Sequence, residues 1–289
     1  MSFTRFWQSA LPHHPLSRLV LRLTRIRHPA VKNALIGAFL RGYDVDMNEA
    51  EQTDPRSFAS FNDFFTRSLK SSARVVEQGA DLIASPVDGA VSQATRIDSG
   101  RILQAKGQHY TLSELLAGAA ASWEPQFTGG EFATIYLAPF NYHRIHMPCD
   151  GTLRDAWYVP GRLFSVNTAS AAAIPGLFAR NERIVLLFEG ELGTFAVILV
   201  GALFVGSMST VWHGDVAPRT PRVACQLSLP SSPGAPLSLR KGDELGRFNM
   251  GSTVILLFPP GRIAWDTSLV PGRVLRMGQS IGRRTIVAR

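Results

Sequence analysis

Three short stretches hold residue types that can make a nucleophile and serve it. Phe248-Asn249-Met250-Gly251-Ser252-Thr253 puts a serine at the mouth of the apolar run Val254-Ile255-Leu256-Leu257-Phe258. Tyr142-His143-Arg144-Ile145-His146-Met147-Pro148 carries two histidines three residues apart, and Ser85-Pro86-Val87-Asp88-Gly89 carries an aspartate. A serine hydroxyl attacks poorly until a base takes its proton, and a carboxylate commonly orients that base. Order and residue type therefore permit an aspartate–histidine–serine set. Each member also has a plain structural reading. Asp88-Gly89 is an ordinary hairpin-turn signal. His143 and His146 suit loop hydrogen bonds, or a metal pair for which the sequence offers no third ligand. Gly251-Ser252-Thr253 reads as a turn entering a strand. The nucleophile-elbow pattern G-x-S-x-G is missing, which counts against an ordinary α/β-hydrolase.

The elements that must position these residues are mostly short strands. From about Ile83 the chain alternates β-runs, such as Thr134-Ile135-Tyr136-Leu137, Ile184 to Phe188 and Thr253 to Phe258, with Gly, Pro and Asp. A helix near Thr111 to Ala121 interrupts them, a short helix is expected within Asp54 to Lys70, and Ser231 to Pro236 reads as an exposed loop. In front of this body, Leu16, Leu19, Val20 and Leu23 fall at helical spacing, flanked by Arg18, Arg22 and Arg25. Val31, Ala34, Leu35, Ala38 and Phe39 repeat the pattern after Pro29, so two basic amphipathic helices broken at His28-Pro29 are expected. The fold class is α+β: an amphipathic helical N-terminal segment over residues 1–45, then a β-rich catalytic domain over 46–289. The Lys241-to-Phe248 stretch suggests barrel-sandwich folds by analogy alone.

The 289 residues carry 30 basic and 22 acidic side chains, a formal charge of +8. Arg5, Arg18, Arg22, Arg25, Arg27, Lys32 and Arg41 all precede Asp44, the first acidic residue, so the remaining 23 basic and 22 acidic residues make a nearly neutral body. A basic amphipathic segment either packs on a core or lies in an anionic lipid surface, where its apolar stripe enters the headgroup boundary. Phe3, Phe6 and Trp7 add aromatic anchors and favour the lipid reading. No nucleic-acid module is recognisable, so no nucleic-acid partner is expected. Two cysteines, Cys149 and Cys225, make no disulfide framework and fit a reducing compartment. The first residues do not read as a signal peptide, because Pro12, Pro15 and five arginines interrupt any apolar stretch. Leu192 to Trp212 lacks charge and is long enough to span a bilayer, but its Gly, Val, Ile and Phe content fits two buried strands meeting near Gly201 better.

Taken together, Phe64-Phe65-Thr66-Arg67, Ser85 to Gly89, Gln104-Ala105-Lys106-Gly107, Leu137-Ala138-Pro139, Tyr142 to Gly151, Leu177 to Arg183, Val200-Gly201-Ala202 and Lys241 to Phe248 running into Gly251-Ser252-Thr253 resemble the bacterial phosphatidylserine decarboxylases, in family order over most of the chain. Met250 stands where that family usually has leucine, a change that keeps size and apolarity.

The resemblance implies a proenzyme that cuts itself between Gly251 and Ser252 into two chains that stay associated. It also implies a covalent pyruvoyl group (pyruvate) derived from Ser252, and decarboxylation of phosphatidylserine to phosphatidylethanolamine. It maps Asp88, His146 and Ser252 onto the self-cleavage triad, with His146 taking the Ser252 hydroxyl proton and Asp88 orienting His146, and leaves His143 to protonate the carbanion of the decarboxylation or to handle Schiff-base protons. Gly251 would leave the scissile carbonyl open and allow a strained turn. No metal is implied. The expected setting is the cytoplasmic side of the cell membrane, peripherally bound, as a homodimer of cleaved pairs. Three rival readings remain: a pyruvoyl decarboxylase of a soluble amino acid, a lipid-binding protein that kept the fold, and a serine hydrolase with an intact chain.

Overall fold

The computed structural model describes residues 11–105, 107–203, 207–217, 222–230 and 236–285. Phe3, Phe6, Trp7 and residues 231–235 of the expected loop lie outside that set. The apolar β-runs assemble side by side, in the order Cys225–Gln226, Gly151–Val159, Arg183–Gly190, Gly193–Val200, Thr253–Phe258, Glu131–Tyr136, Gly89–Arg96 and Val274–Leu275. Ser238–Leu239 also pairs with Gly151–Val159, and every pairing is antiparallel. The path has two ends, so the described strands form an open sheet and not a closed barrel.

Thr253–Phe258 is apolar at consecutive positions because both faces of its sheet are covered. Val254, Leu256 and Phe258 point into a core shared with Ile145, Leu245, Phe248 and Ile281 of the smaller sheets. Ile255 and Leu257 point into a second core with Leu112, Leu115, Leu116 and Phe127 of the helical segments Leu112–Leu116 and Ala120–Phe127. The body is thus layered: helices, a large sheet, then two small sheets. This is a mixed α+β architecture. The uncharged Leu192-to-Trp212 stretch resolves into Gly193–Val200 in the large sheet and Met208–Thr210 in a small one. No described helix is long and apolar enough to cross a membrane.

The four-stranded small sheet runs Gly214–Asp215, Met208–Thr210, Glu244–Phe248, Arg144–His146. Its Glu244–Phe248 strand is followed within five residues by Thr253–Phe258 of the large sheet. Residues 249–252 therefore form the bridge between two sheets, and the Gly251–Ser252 bond lies in that bridge.

The two expected helices are present as His13–Thr24 and Pro29–Gly42, with Pro29 at the first helical position where its missing N–H costs nothing. The first helix buries His13, Ser17, Leu21 and Thr24. Its apolar stripe is covered only in part: Leu16 and Val20 are half-buried, whereas Leu19 is 53% and Leu23 44% exposed, with Val31 of the second helix at 37%. The second helix buries Ile36 and sets Phe39 edge-on to Phe61, Phe64 and Phe65, with ring centroids 5.4, 5.8 and 5.9 Å away. Those three phenylalanines belong to the short helix Phe61–Phe65, started by Ser60, whose hydroxyl accepts from Asp63 N–H at 3.1 Å.

Candidate active site

The bridge places its residues beside the Arg144–His146 strand and the loop before it. Phe248 N–H donates to His143 O at 3.0 Å, and Leu137 N–H donates to Ser252 O at 2.8 Å. Asn62 Nδ2 holds Asn249 O at 2.8 Å, which ties the bridge to the Phe61–Phe65 helix. The Ser252 side chain is fully buried, and its Oγ has no hydrogen-bond partner among the described residues.

His143 is the histidine nearest the scissile bond. A side chain at Gly251 would begin 3.2 Å from His143 Nε2. His143 Nδ1 lies 2.8 Å from Asn141 O. A carbonyl only accepts, so Nδ1 carries the proton and Nε2 keeps its lone pair. That Nε2 has no partner. The ring is fully buried and packs on Phe65 at a centroid distance of 4.0 Å. Burial lowers its pKa to about 3, with the Arg67 charge acting in the same direction against the hydrogen bond to Asn141. His143 is thus a neutral base, fixed in tautomer, facing the peptide bond of Gly251.

His146 is arranged otherwise. Its Nδ1–H donates to Gly242 O at 2.8 Å, and its Nε2 accepts from the Tyr142 hydroxyl at 3.0 Å. Both ring nitrogens are occupied. Burial lowers the His146 pKa, partly offset by the bond to Gly242 and the nearby Glu244. Asp88 also has other partners. Arg74 Nε lies 2.8 Å from Oδ1 and 3.1 Å from Oδ2, and Met277 N–H donates to Oδ1 at 2.8 Å. Arg74 reaches Glu49 as well, at 2.9 Å.

The structure therefore brings Gly251, Ser252 and His143 together and engages His146 and Asp88 in separate hydrogen-bonded pairs. This differs from the expected chain of bonds from Asp88 through His146 to Ser252. The physical reason is that Tyr142 and Gly242 saturate His146 while Arg74 engages both oxygens of Asp88. Gly251 also differs from expectation. Its φ is not in the left-handed region, so the residue is small to leave room beside His143, not to permit a strained turn.

A cavity of about 540 Å³ opens at Gly251, walled mainly by apolar groups that include Phe39, Tyr43, Phe65, Leu137 and Met250. A second, more polar cavity of about 510 Å³ lies on the far side of Asn249, where Arg25, Arg27 and Arg247 line it with Asp63, Asp215 and Glu244. Only the first touches the scissile glycine.

Residues 61–283 match the family model described as phosphatidylserine decarboxylase, and residues 4–44 match a second model described as PSD. The phosphatidylserine decarboxylase proenzyme of Azotobacter vinelandii is 50% identical over 279 residues, covering 96% of this chain and 97% of that protein. The proenzyme of Stutzerimonas stutzeri is 49% identical, over 97% of this chain and 94% of its own length. That of Bordetella pertussis is 50% identical, over 95% and 92%. The chain belongs to the phosphatidylserine decarboxylase family.

The sequence showed Tyr142 only as part of the Tyr142-to-Pro148 stretch and gave no sign of the parts played by Asn141 and Arg74. Asn141 acts through its backbone carbonyl, Arg74 through its guanidinium on Asp88, and Tyr142 through its hydroxyl on His146, and residue type and spacing report none of these bonds. Arg67 was visible only as part of a motif. The structure buries it to 5% exposure.

Proposed function

We propose that this chain is a phosphatidylserine decarboxylase proenzyme that makes its own prosthetic group from Ser252. The observation that carries the reading is the unpartnered Nε2 of neutral His143 beside the Gly251–Ser252 bond, with a buried, unpartnered Ser252 hydroxyl.

His143 Nε2 takes the Ser252 hydroxyl proton as Oγ attacks the Gly251 carbonyl carbon. The C–N bond then breaks, the residue-252 nitrogen receives the proton back, and an ester joins Gly251 to Oγ. Removal of the Ser252 Cα proton drives out Gly251 as a carboxylate and leaves a dehydroalanine. Water replaces its nitrogen, which departs as ammonia, and a pyruvoyl group ends the smaller chain.

A ketone at that position supplies an electron sink for the pair left when carbon dioxide departs from an amino acid. The chain's own groups fit it. The Gly251 cavity has mainly apolar walls, and His143 stands beside Gly251 to hold or return a proton. Asp88 with Arg74, and His146 with Tyr142, frame the site from the side of the small sheet, where Asp88 and His146 serve the catalytic set. The barrel-sandwich likeness remains part of this reading, supported by the core that the two sheet layers share.

The setting we propose is peripheral, on the cytoplasmic face of the cell membrane, with anionic phospholipid as the surface. Its support is the outward apolar stripe of Leu19, Leu23 and Val31 between exposed arginines. Residues 1–45 and 46–289 differ in role but share packing, because Phe39 supports Phe65 and Phe65 supports His143. Deleting the helices would therefore disturb the site, and substitution is the cleaner test. Leu19→Glu with Leu23→Glu should weaken sedimentation with phosphatidylglycerol vesicles at least about tenfold and leave self-cleavage unchanged. Unchanged sedimentation would remove the membrane assignment. A homodimer of cleaved pairs completes the proposal.

The test of the function is intact mass of the purified protein beside Ser252→Ala. The reading predicts two wild-type pieces, the smaller starting at residue 252 and carrying a pyruvoyl end, and one uncut variant chain. Release of carbon dioxide from phosphatidylserine by the wild type alone completes it. A single intact mass in an active preparation overturns it.

A further inference from the structure

Arg67 is a buried cation with no ion pair of its own; Asp88 and Glu49 favour its charge only from beyond contact distance. It is 5% exposed, and its Nε and Nη1 have no hydrogen-bond partner. Nη2 makes one long contact, 3.4 Å to Phe140 O, and the guanidinium lies 5.6 Å from the centre of the Phe64 ring. Burying a charge in this way is costly unless something compensates it.

The two carboxylates whose charge reaches it, Asp88 and Glu49, are already taken, as is Glu244 of the small sheet. Asp88 is held by Arg74 and Met277 N–H, Glu49 by Arg74 at 2.9 Å and Arg276 at 3.4 Å, and Glu244 by Arg144 at 2.8 Å and Arg247 at 2.5 Å. Three buried or half-buried carboxylates are thus matched by other arginines, and Arg67 is left over.

Its position relates it to the scissile bond. Arg67 contacts Phe140 O, and His143 contacts Asn141 O, so both side chains hang from one loop. Two residues before Arg67, Phe65 packs on the His143 ring and lines the cavity at Gly251. The Arg67 charge also reaches His143, where it opposes protonation.

The chemistry proposed above creates an anion at Gly251, beside the His143 ring that the Arg67 charge reaches. Ester elimination breaks the bond between Oγ and Cβ of residue 252, and the electron pair leaves with Oγ on Gly251. A carboxylate then stands half-buried in the mainly apolar wall of the cavity, where the uncut chain had a neutral amide. We propose that Arg67 is the waiting counter-ion of the Gly251 carboxylate, unpaired in the precursor and paired after the cut. This rests on the self-cleavage reading and adds to it a reason for an otherwise unfavourable arginine.

The test uses Arg67→Met and Arg67→Lys, each alone and combined with Ser252→Ala. In the uncleavable Ser252→Ala background, Arg67→Met should leave the thermal midpoint unchanged or raise it, because it removes an uncompensated charge. In the cleavable chain it should slow formation of the pyruvoyl-ended piece at least about tenfold, by withdrawing stabilisation of the leaving carboxylate. Hydroxylamine should then release a serine-ended piece from accumulated ester, and Arg67→Lys should restore most of the rate. A lower midpoint for Arg67→Met in the uncleavable background would make Arg67 a structural residue and overturn the proposal. So would wild-type kinetics of pyruvoyl formation in Arg67→Met. If the wild type itself stays uncut, the self-cleavage reading falls and this inference with it. If the wild type is cut and Arg67→Met behaves like it, this inference alone falls.

Discussion

His143 and His146 stand three residues apart, both buried, both with Nδ1–H tied to a backbone carbonyl, yet their surroundings prepare them for different work. His143 backs onto Phe65 and presents a bare Nε2 to Gly251. His146 presents its Nε2 to the Tyr142 hydroxyl. One ring keeps a lone pair in reserve, and the other spends it on a fixed partner. The difference comes from which layers the side chains face. His143 looks toward the bridge between sheets and the aromatic cluster under the Pro29–Gly42 helix. His146 looks toward Tyr142 and the turn at Gly242.

The largest expected effect separates the two rings directly. His143→Ala should slow self-cleavage by about 10²–10⁴-fold, the range for a positioned general base. His146→Ala should slow it about tenfold or less through loss of packing. Intact mass over time after synthesis checks both, and the reverse ranking would break the comparison. A smaller effect is expected from Gly251→Ala. Its added methyl would sit 3.2 Å from His143 Nε2 and push the ring from line, slowing cleavage at least about tenfold.

The smallest effect is on stability against pH. His143 has a folded pKa of about 3 against an ordinary 6.5. Between those values the unfolded chain binds a proton that the folded chain refuses, so stability falls as pH drops through 6.5 and levels off near 3. His14, lowered to about 4 by burial and then by Arg222, acts in the same sense. In the Ser252→Ala precursor, His143→Phe should remove up to roughly 1.4 kcal/mol of this loss per pH unit. Urea unfolding at pH 7 and pH 5 measures it, and an unaltered slope would show that His143 is not buried as a neutral ring.

The strands, the helix pair and the turn at Gly251-Ser252 that enters a strand were legible in sequence because periodicity and apolar runs report which faces are covered, whereas the place of that turn between two sheets was not. Thr253–Phe258 shows the limit of that signal: its run predicted a strand, while its central place required knowing that Val200 and Tyr136 flank Thr253. The outward face of the first helix was not legible either. Leu19 and Leu23 form the obvious apolar stripe, but the helix docks through His13, Ser17, Leu21 and Thr24. His13 helps fix that choice, since its Nδ1 accepts from Leu163 N–H at 3.2 Å. The catalytic residue types were visible from spacing and resemblance. The partition between the histidines was not, because backbone carbonyls at Asn141 and Gly242 and a tyrosine hydroxyl decide it.

The most direct test of the account is ¹⁵N NMR of the histidine rings in the Ser252→Ala precursor, followed from pH 8 to pH 4. The account predicts that His143 is neutral throughout, protonated on Nδ1, with an Nε2 shift typical of a free lone pair, while the His146 Nε2 shift reports a hydrogen bond. A His143 ring protonated on Nε2, or charged at neutral pH, would contradict the assignment of His143 as the base that starts the cleavage.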